Sequence, residues 1–262
     1  MKKIVAMLLA LCLVLAFAGC GSNEKPAETQ APTAAPETQA PVTEAAETEA
    51  PTTAPAETEA AATVMTHEEY AAAAVDDAVC VETYVQATQS WWDNKITVYA
   101  QSEDGAYFLY ELSCSEEDAA KLVPGTKIRV NGFKGEWAGE VEIMDGTFEI
   151  LDGSYIAEPV DVTDLLGTDE LIQHQNEKVL FKGMTVASVT YKNDEPGDDI
   201  YVSLTKGDVT VDFCVEMYLT GPDTDVYKAV GELQPGDVID VEGFLYWYEG
   251  VNTHITAVTP AA

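Results

Sequence analysis

Residues Gln89 to Lys95 read QSWWDNK, two adjacent tryptophans running into an Asp-Asn turn. Successive side chains of a strand point to opposite faces, so Trp91 and Trp92 cannot both enter one interior. At least one of the two indoles is therefore expected at a surface or a loop tip. Trp137 and Trp247 complete the four tryptophans of the chain. Flat aromatic rings stack on sugar faces or peptide side chains without needing positive charge. Asp93 and Asn94 follow the first pair, Glu136 precedes Trp137, and Glu249 follows Trp247 by two; all four side chains supply hydrogen-bonding atoms. The chemistry suggested is recognition by stacking.

Signals for bond-making chemistry are weaker. No G-x-S-x-G, H-E-x-x-H or phosphate-loop pattern occurs. His67, His174 and His254 lie on separate elements and share no motif, and His254, on the last strand pattern, is expected to face solvent. Lys192 to Ile200, KNDEPGDDI, gathers four acids around a Pro-Gly turn, but the spacing matches no EF-hand loop. The expectation is a non-enzymatic protein with no cofactor and no metal.

Charge narrows the partners further. The chain carries 13 Lys+Arg against 46 Asp+Glu, and Arg129 is its only arginine. Eight acids and three lysines precede Val64, which leaves 38 acids against ten basic residues in the remainder. Phosphate-driven nucleic-acid binding requires clustered Lys and Arg. The balance thus argues against nucleic acid as a partner, and against direct contact of the folded part with anionic lipid.

The first residues read MKKIVAMLLALCLVLAFAGCGSN: two lysines, a short apolar run and small residues, the pattern of an export signal. Ala18-Gly19-Cys20 resembles a bacterial lipobox, although Phe17 stands where leucine is usual. The resemblance implies a leader over residues 1–19 and lipidation of Cys20. From 20 to 63 the chain is almost wholly Ala, Pro, Glu, Thr and Gln. Such composition cannot bury a core and is expected to be disordered; as a flexible coil it spans roughly 40 Å. The expected location is the outer face of a bacterial cell membrane, held there by the lipid alone.

Three cysteines remain beyond the leader and the lipid site: Cys80, Cys114 and Cys214. Each lies in or beside an apolar strand pattern, so buried thiols are expected, with a Cys80–Cys114 bridge left open.

The elements that must position these residues are repeated. Leu122 onward reads LVPGTKIRVNGF and Leu233 onward LQPGDVIDVEGF, sharing L-x-P-G-x-x-I-x-V-x-G-F. In both, Pro-Gly turns the chain, Ile and Val alternate onto one face, and Gly132 or Gly243 marks a sharp bend or a close backbone approach. Around each copy the order is three strands, a short helix and two strands. Predicted strands are 79–86, 96–101, 107–112, 127–133 and 140–144, then 179–186, 200–204, 209–217, 238–247 and 251–258. Helices are predicted at 116–122 and 224–233, with lead-in helices after Thr66, a capping box with Glu69, and over 163–173.

That order resembles the OB-fold, a five-stranded Greek-key barrel whose ligand face uses strands two and three and the loops between strands one–two and four–five. The chain is therefore read as all-β with short helices, two tandem OB-like barrels at 64–153 and 159–262 after the tether. The resemblance puts Trp91 and Trp92 in the one–two connection of the first barrel and Trp137 in its four–five connection. Trp247 falls in the four–five connection of the second, where Tyr246 and Tyr248 flank it. The site expected is Trp91, Trp92, Asp93, Asn94, Trp137 and Trp247, with Trp91 or Trp92 acting together with Trp137. The ligand expected is extracellular glycan, cell-wall material or protein. Two other readings stand: an assembly subunit whose aromatic loops bind protein, and an accessory domain of an extracellular nucleotide- or nucleic-acid-processing system. The oligomeric state is open.

Overall fold

The computed structural model describes residues 63–261; the leader, Cys20 and the tether up to residue 62 lie outside the described residues. The described chain is mostly β. Helix α1 (His67–Ala72) is capped by Thr66, whose hydroxyl accepts from Glu69 N–H while the Glu69 carboxylate accepts from Thr66 N–H. Strands β1 (Ala78–Thr88), β2 (Lys95–Gln101) and β3 (Ala106–Ser113) follow, then α2 (Glu116–Ala119), β4 (Thr126–Trp137) and β5 (Glu140–Ser154). These five strands close into a barrel in the order β1-β2-β3-β5-β4. Val81, Val85, Ile96, Val98, Leu109, Leu112, Ile128 and Val130 fill its interior, the alternate positions that apolar periodicity selects.

The second sheet begins with β6 (Val160–Asp161) and β7 (Lys178–Tyr191), then β8 (Ile200–Lys206), β9 (Val209–Val215), α3 (Asp225–Gly231), β10 (Val238–Phe244) and β11 (His254–Pro260). Pairing of β10 with β7, and of β11 with β9, closes the same five-strand ring, with β6 added outside β7. Phe181, Met184, Val202, Leu204, Phe213, Val241 and Ile255 are among its buried core. Both rings belong to one compact unit.

The repeated segment occupies matching surroundings. Gly125 and Gly236 adopt φ of +92° and +96°, and their N–H groups donate to Val85 O (2.7 Å) and Val186 O (2.8 Å). Gly132 faces Val79 and Gly243 faces Val179. A Cβ on Gly243 would lie 2.3 Å from His254 O, and one on Gly132 2.8 Å from Met144 O. The backbone approach expected of these glycines is present in both rings.

Three expectations are corrected. The helix predicted over 163–173 is two short 3-10 turns, Thr163–Leu165 and Leu171–His174, split at Gly167, whose φ of +82° lies outside the helical range. The fifth strand continues ten residues past Met144, because β4 pairs with it as far as Thr126–Ser154. Strand β10 ends at Phe244, where a tight turn closes with Tyr246 N–H donating to Phe244 O. The buried thiols expected at Cys80, Cys114 and Cys214 are present: all three are free, and burial raises the pKa of each.

Lys134 fixes α1 to the first barrel. Its ammonium, in a side chain almost wholly buried, donates to the carbonyls of Tyr70, Ala71 and Ala73 at 3.1, 2.8 and 2.8 Å and lies 5.2 Å from the Tyr70 ring centroid. A cation on the orphan carbonyls of a helix C-terminus satisfies them and complements the helix dipole.

Candidate functional site

The β1–β2 tip separates the paired tryptophans as strand alternation requires. Asp93 and Asn94 take φ of +47° and +61°, the two left-handed positions of a type I′ hairpin, closed by Trp92 and Lys95. Trp92 projects from this tip and is 80% exposed. Trp91 turns back onto the barrel core, and its Nε1–H donates to Cys114 O at 2.8 Å. At the β4–β5 tip Trp137 is 61% exposed. Trp247 is partly buried, its indole lying where a Cβ on Gly139 would come within 2.8 Å.

The expected pairing of Trp91 or Trp92 with Trp137 does not form. Strand β5 runs parallel to β3 with Phe108 beside Glu142, so the β4–β5 tip lies by the start of β3. Lys95 pairs with Ser113, which puts the β1–β2 tip by its end. The two tips stand at opposite ends of the strands. Trp137 and Trp247 are instead on adjoining hairpins, joined where Glu249 N–H donates to Ala138 O at 2.8 Å.

Between the tips lies the outward face of β2 and β3, and the second barrel covers it. Tyr99 and Phe108 form a buried cluster with Phe244, against which Ala87, Leu219 and Tyr246 pack. Tyr99 stacks on Phe244 with centroids 4.6 Å apart, Phe108 meets Tyr246 edge to face at 5.1 Å, and Tyr246 stacks on His254 at 4.2 Å. Polar contacts complete the seam: Lys178 N–H donates to Gln101 Oε1 at 2.8 Å, and Ser90 N–H to Tyr218 O at 2.8 Å. His254 is therefore not outward and solvated. It is buried and neutral, with burial holding its pKa down to about 3.

Two carboxyl groups mark the ends of this seam. Glu140 is fully buried; its Oε2 accepts from Trp247 N–H (2.8 Å) and Gln175 Nε2 (3.2 Å), while Oε1 has no partner. Burial pushes its pKa up to about 8 against the opposing pull of those hydrogen bonds. Glu216 accepts from Leu219 N–H at 2.8 Å, and burial raises it to about 7. None of Tyr99, Phe108, Phe244, His254, Glu140 and Glu216 was expected at a site. The available signal was an aromatic at an outward position on each of two neighbouring strands, which marks the face but not what lies over it.

The corresponding face of the second barrel is open. Tyr201 on β8 is 40% exposed, Ser203 and Thr205 follow on the same side, and Thr210 and Asp212 stand exposed on β9. Ser203 pairs with Asp212 and Thr205 with Thr210. The β7–β8 loop beside it is tied by Lys192 to Asp198 and Asp199 at 3.2 and 3.0 Å, which raises the Lys192 pKa. Among the described residues no group of three His, Cys, Asp or Glu side chains is arranged to hold a metal ion.

No family model and no curated protein matches the chain. Solved structures with a similar fold include a murine DNA-binding protein bound to double-stranded DNA, at 11% identity and a TM-score of 0.35, covering 70% of this chain and 96% of that one. Another is the Ifi202 HINa domain in complex with 20-bp double-stranded DNA, at 10% identity and a TM-score of 0.32, covering 71% and 100%. A replication protein A heterotrimer bound to single-stranded DNA matches at 11% identity and a TM-score of 0.30, covering 71% and 49%. For asparaginyl-tRNA synthetase from Pyrococcus horikoshii, at 16% identity and a TM-score of 0.30, the match covers 40% of this chain and 22% of that one. The first three are described with DNA and the synthetase with asparaginyl-adenylate. The expectation of glycan, cell-wall material or protein as ligand, and the expectation that nucleic acid is no partner, are corrected accordingly. The chain has an all-β, OB-like barrel fold.

Proposed function

We propose that this chain is a lipid-anchored accessory unit of an extracellular nucleotide- or nucleic-acid-processing system, and that it holds a nucleobase on the open β8–β9 face. The observation that carries the proposal is the contrast between the two rings. The strand two–three face of the first is covered, whereas that of the second presents Tyr201 beside Ser203, Thr205 and Asp212.

The chemistry supports a base more than a phosphate backbone. A tyrosine ring stacks on any base, contributing about 1–3 kcal/mol per base. The Asp212 carboxylate suits an exocyclic amino group, and the hydroxyls of Ser203 and Thr205 suit ring nitrogens and carbonyls. Arg129, the sole arginine, is engaged by Glu82 at 2.6 Å and Glu149 at 3.2 Å on the other barrel. Recognition would be non-enzymatic and would rest on stacking. In this reading Cys20 carries the lipid, residues 20–63 are the spacer, and 64–153 and 159–262 are duplicated domains.

The test is titration of the chain with nucleosides and short single-stranded oligonucleotides, at two salt concentrations, beside Tyr201→Ala. The expected result is saturable binding with a shallow salt dependence, weakened about fivefold or more by the substitution. Absence of binding across all bases, or binding unchanged in Tyr201→Ala, would overturn the reading.

A further inference from the structure

The covered face of the first barrel is closed by a joint that contains an uncompensated buried carboxyl. Glu140 opens β5, and the two groups its Oε2 accepts from, Trp247 N–H and Gln175 Nε2, belong to the β10–β11 connection and to the turn ahead of β7. One oxygen therefore ties the first barrel to two separate segments of the second. The other oxygen is buried and has no partner.

The groups around it add no positive charge. Glu142 follows on its own strand, buried and with a raised pKa. Tyr246 reaches in from the β10–β11 connection and Tyr70 from α1, and both hydroxyls feel Glu140 and Glu142 as like charges. Tyr107 and Tyr110 of β3 border these tyrosines. Asn176 stands beside Gln175; its amide donates to Val141 O at 3.0 Å and also pulls the Glu140 pKa down. The ammonium of Lys134, near Tyr70, is turned to three carbonyls instead. A carboxylate here would be a buried charge held only by neutral hydrogen-bond donors, with a carboxyl neighbour and no counter-ion. Such a group is relieved by protonation or by admitting water.

We propose that the seam is a pH-operated closure: loss of the Glu140 proton loosens the joint by which the second barrel covers Tyr99 and Phe108 of the first. The opposite end of the seam carries a second carboxyl, Glu216, which is partly buried. Glu216 accepts from Leu219 N–H within the turn whose Tyr218 carbonyl receives Ser90 N–H. Asp199 faces it as a like charge, and Lys192, already paired to Asp198 and Asp199, opposes only in part. Burial raises both carboxyls, to about 8 at Glu140 and about 7 at Glu216, so both ends lose protons in the same direction. Between them the Tyr99–His254 contact is unaffected in that range, since His254 is already neutral. The closure is thus sealed in mild acid and yields as pH rises through 7 and 8.

Amide hydrogen exchange of the full chain tests this without any ligand, so its outcome is separate from that of the nucleobase proposal. At pH 6 and pH 9, after correction for intrinsic rates, residues 244–249 should lose protection by about tenfold or more at the higher pH, while β8 and β9 keep theirs. Glu140→Gln, which cannot ionise, should remove most of that difference. Equal protection of 244–249 at both pH values in the unmodified chain would overturn the proposal, even if the variant failed to fold. Equal loss across β8 and β9, or a pH response undiminished in Glu140→Gln, would overturn it as well.

Discussion

The hydroxyl of Tyr99 on β2 and Nδ1 of His254 on β11 meet at 2.5 Å across the seam, 155 residues apart in the chain. Gln89 Nε2 also donates to that hydroxyl at 3.1 Å, so the tyrosine proton is directed to the imidazole, which must be neutral at Nδ1 to accept it. This contact lies at the centre of the aromatic surface that joins the two rings.

Tyr99→Phe removes the donor and leaves a buried ring nitrogen without a partner. The expected cost is about 1–3 kcal/mol. Chemical denaturation of the variant beside the native chain measures it, with the slope of the transition unchanged.

The buried titratable groups give stability a maximum in mild acid. His254, depressed to about 3, contributes stability that is present above its ordinary value near 6.5 and is lost as pH falls through 3. Glu140 and Glu216, raised to about 8 and about 7, contribute stability that is full below their ordinary value near 4.5 and is lost as pH rises through those values. Two carboxyls lose more between pH 4.5 and 6.5 than one histidine gains, so melting temperatures should peak near roughly pH 4.5 and fall on both sides. In Glu140→Gln the alkaline fall should be shallower.

Lys134→Met keeps much of the buried stem but abandons three carbonyls at the end of α1. A loss of about 1–3 kcal/mol is expected. Amide exchange should locate the change at residues 67–76 and not in the second ring.

The four tryptophans should respond unequally to a quencher. Trp92 and Trp137, at 80% and 61% exposure, are expected to be accessible to acrylamide, while Trp91 and Trp247 are shielded. Trp92→Ala should change stability by less than about 0.5 kcal/mol, as is usual at an exposed site. Trp91→Phe, which orphans Cys114 O, should cost more.

Local chemistry made much of this architecture legible. Pro-Gly turns at 124–125 and 235–236, the cap at Thr66, and the Ile/Val alternation each act over a few residues, and each appears where the residues require it. The alternation rule also divided Trp91 from Trp92 correctly. Coverage of an outward face was not legible. Tyr99 and Phe108 occupy outward positions whether or not anything lies over them, and what covers them, Phe244 and Tyr246, is more than 130 residues away. His254 was misassigned for the same reason: its alternation gave the outward side, and only the docking of two rings makes that side an interior. The composition of the tryptophan loops likewise concealed strand polarity, which sends the β1–β2 and β4–β5 tips to opposite ends.

The cover that the second ring lays over the β2–β3 face of the first underlies both the seam and its response to pH. Nuclear Overhauser contacts between selectively labelled Tyr99 and Phe244 side chains at pH 6 test this directly. The stacked rings, 4.6 Å between centroids, should give strong cross-peaks that vanish in Phe244→Ala. Absence of those cross-peaks in the native chain, with Tyr99 open to solvent, would contradict the account.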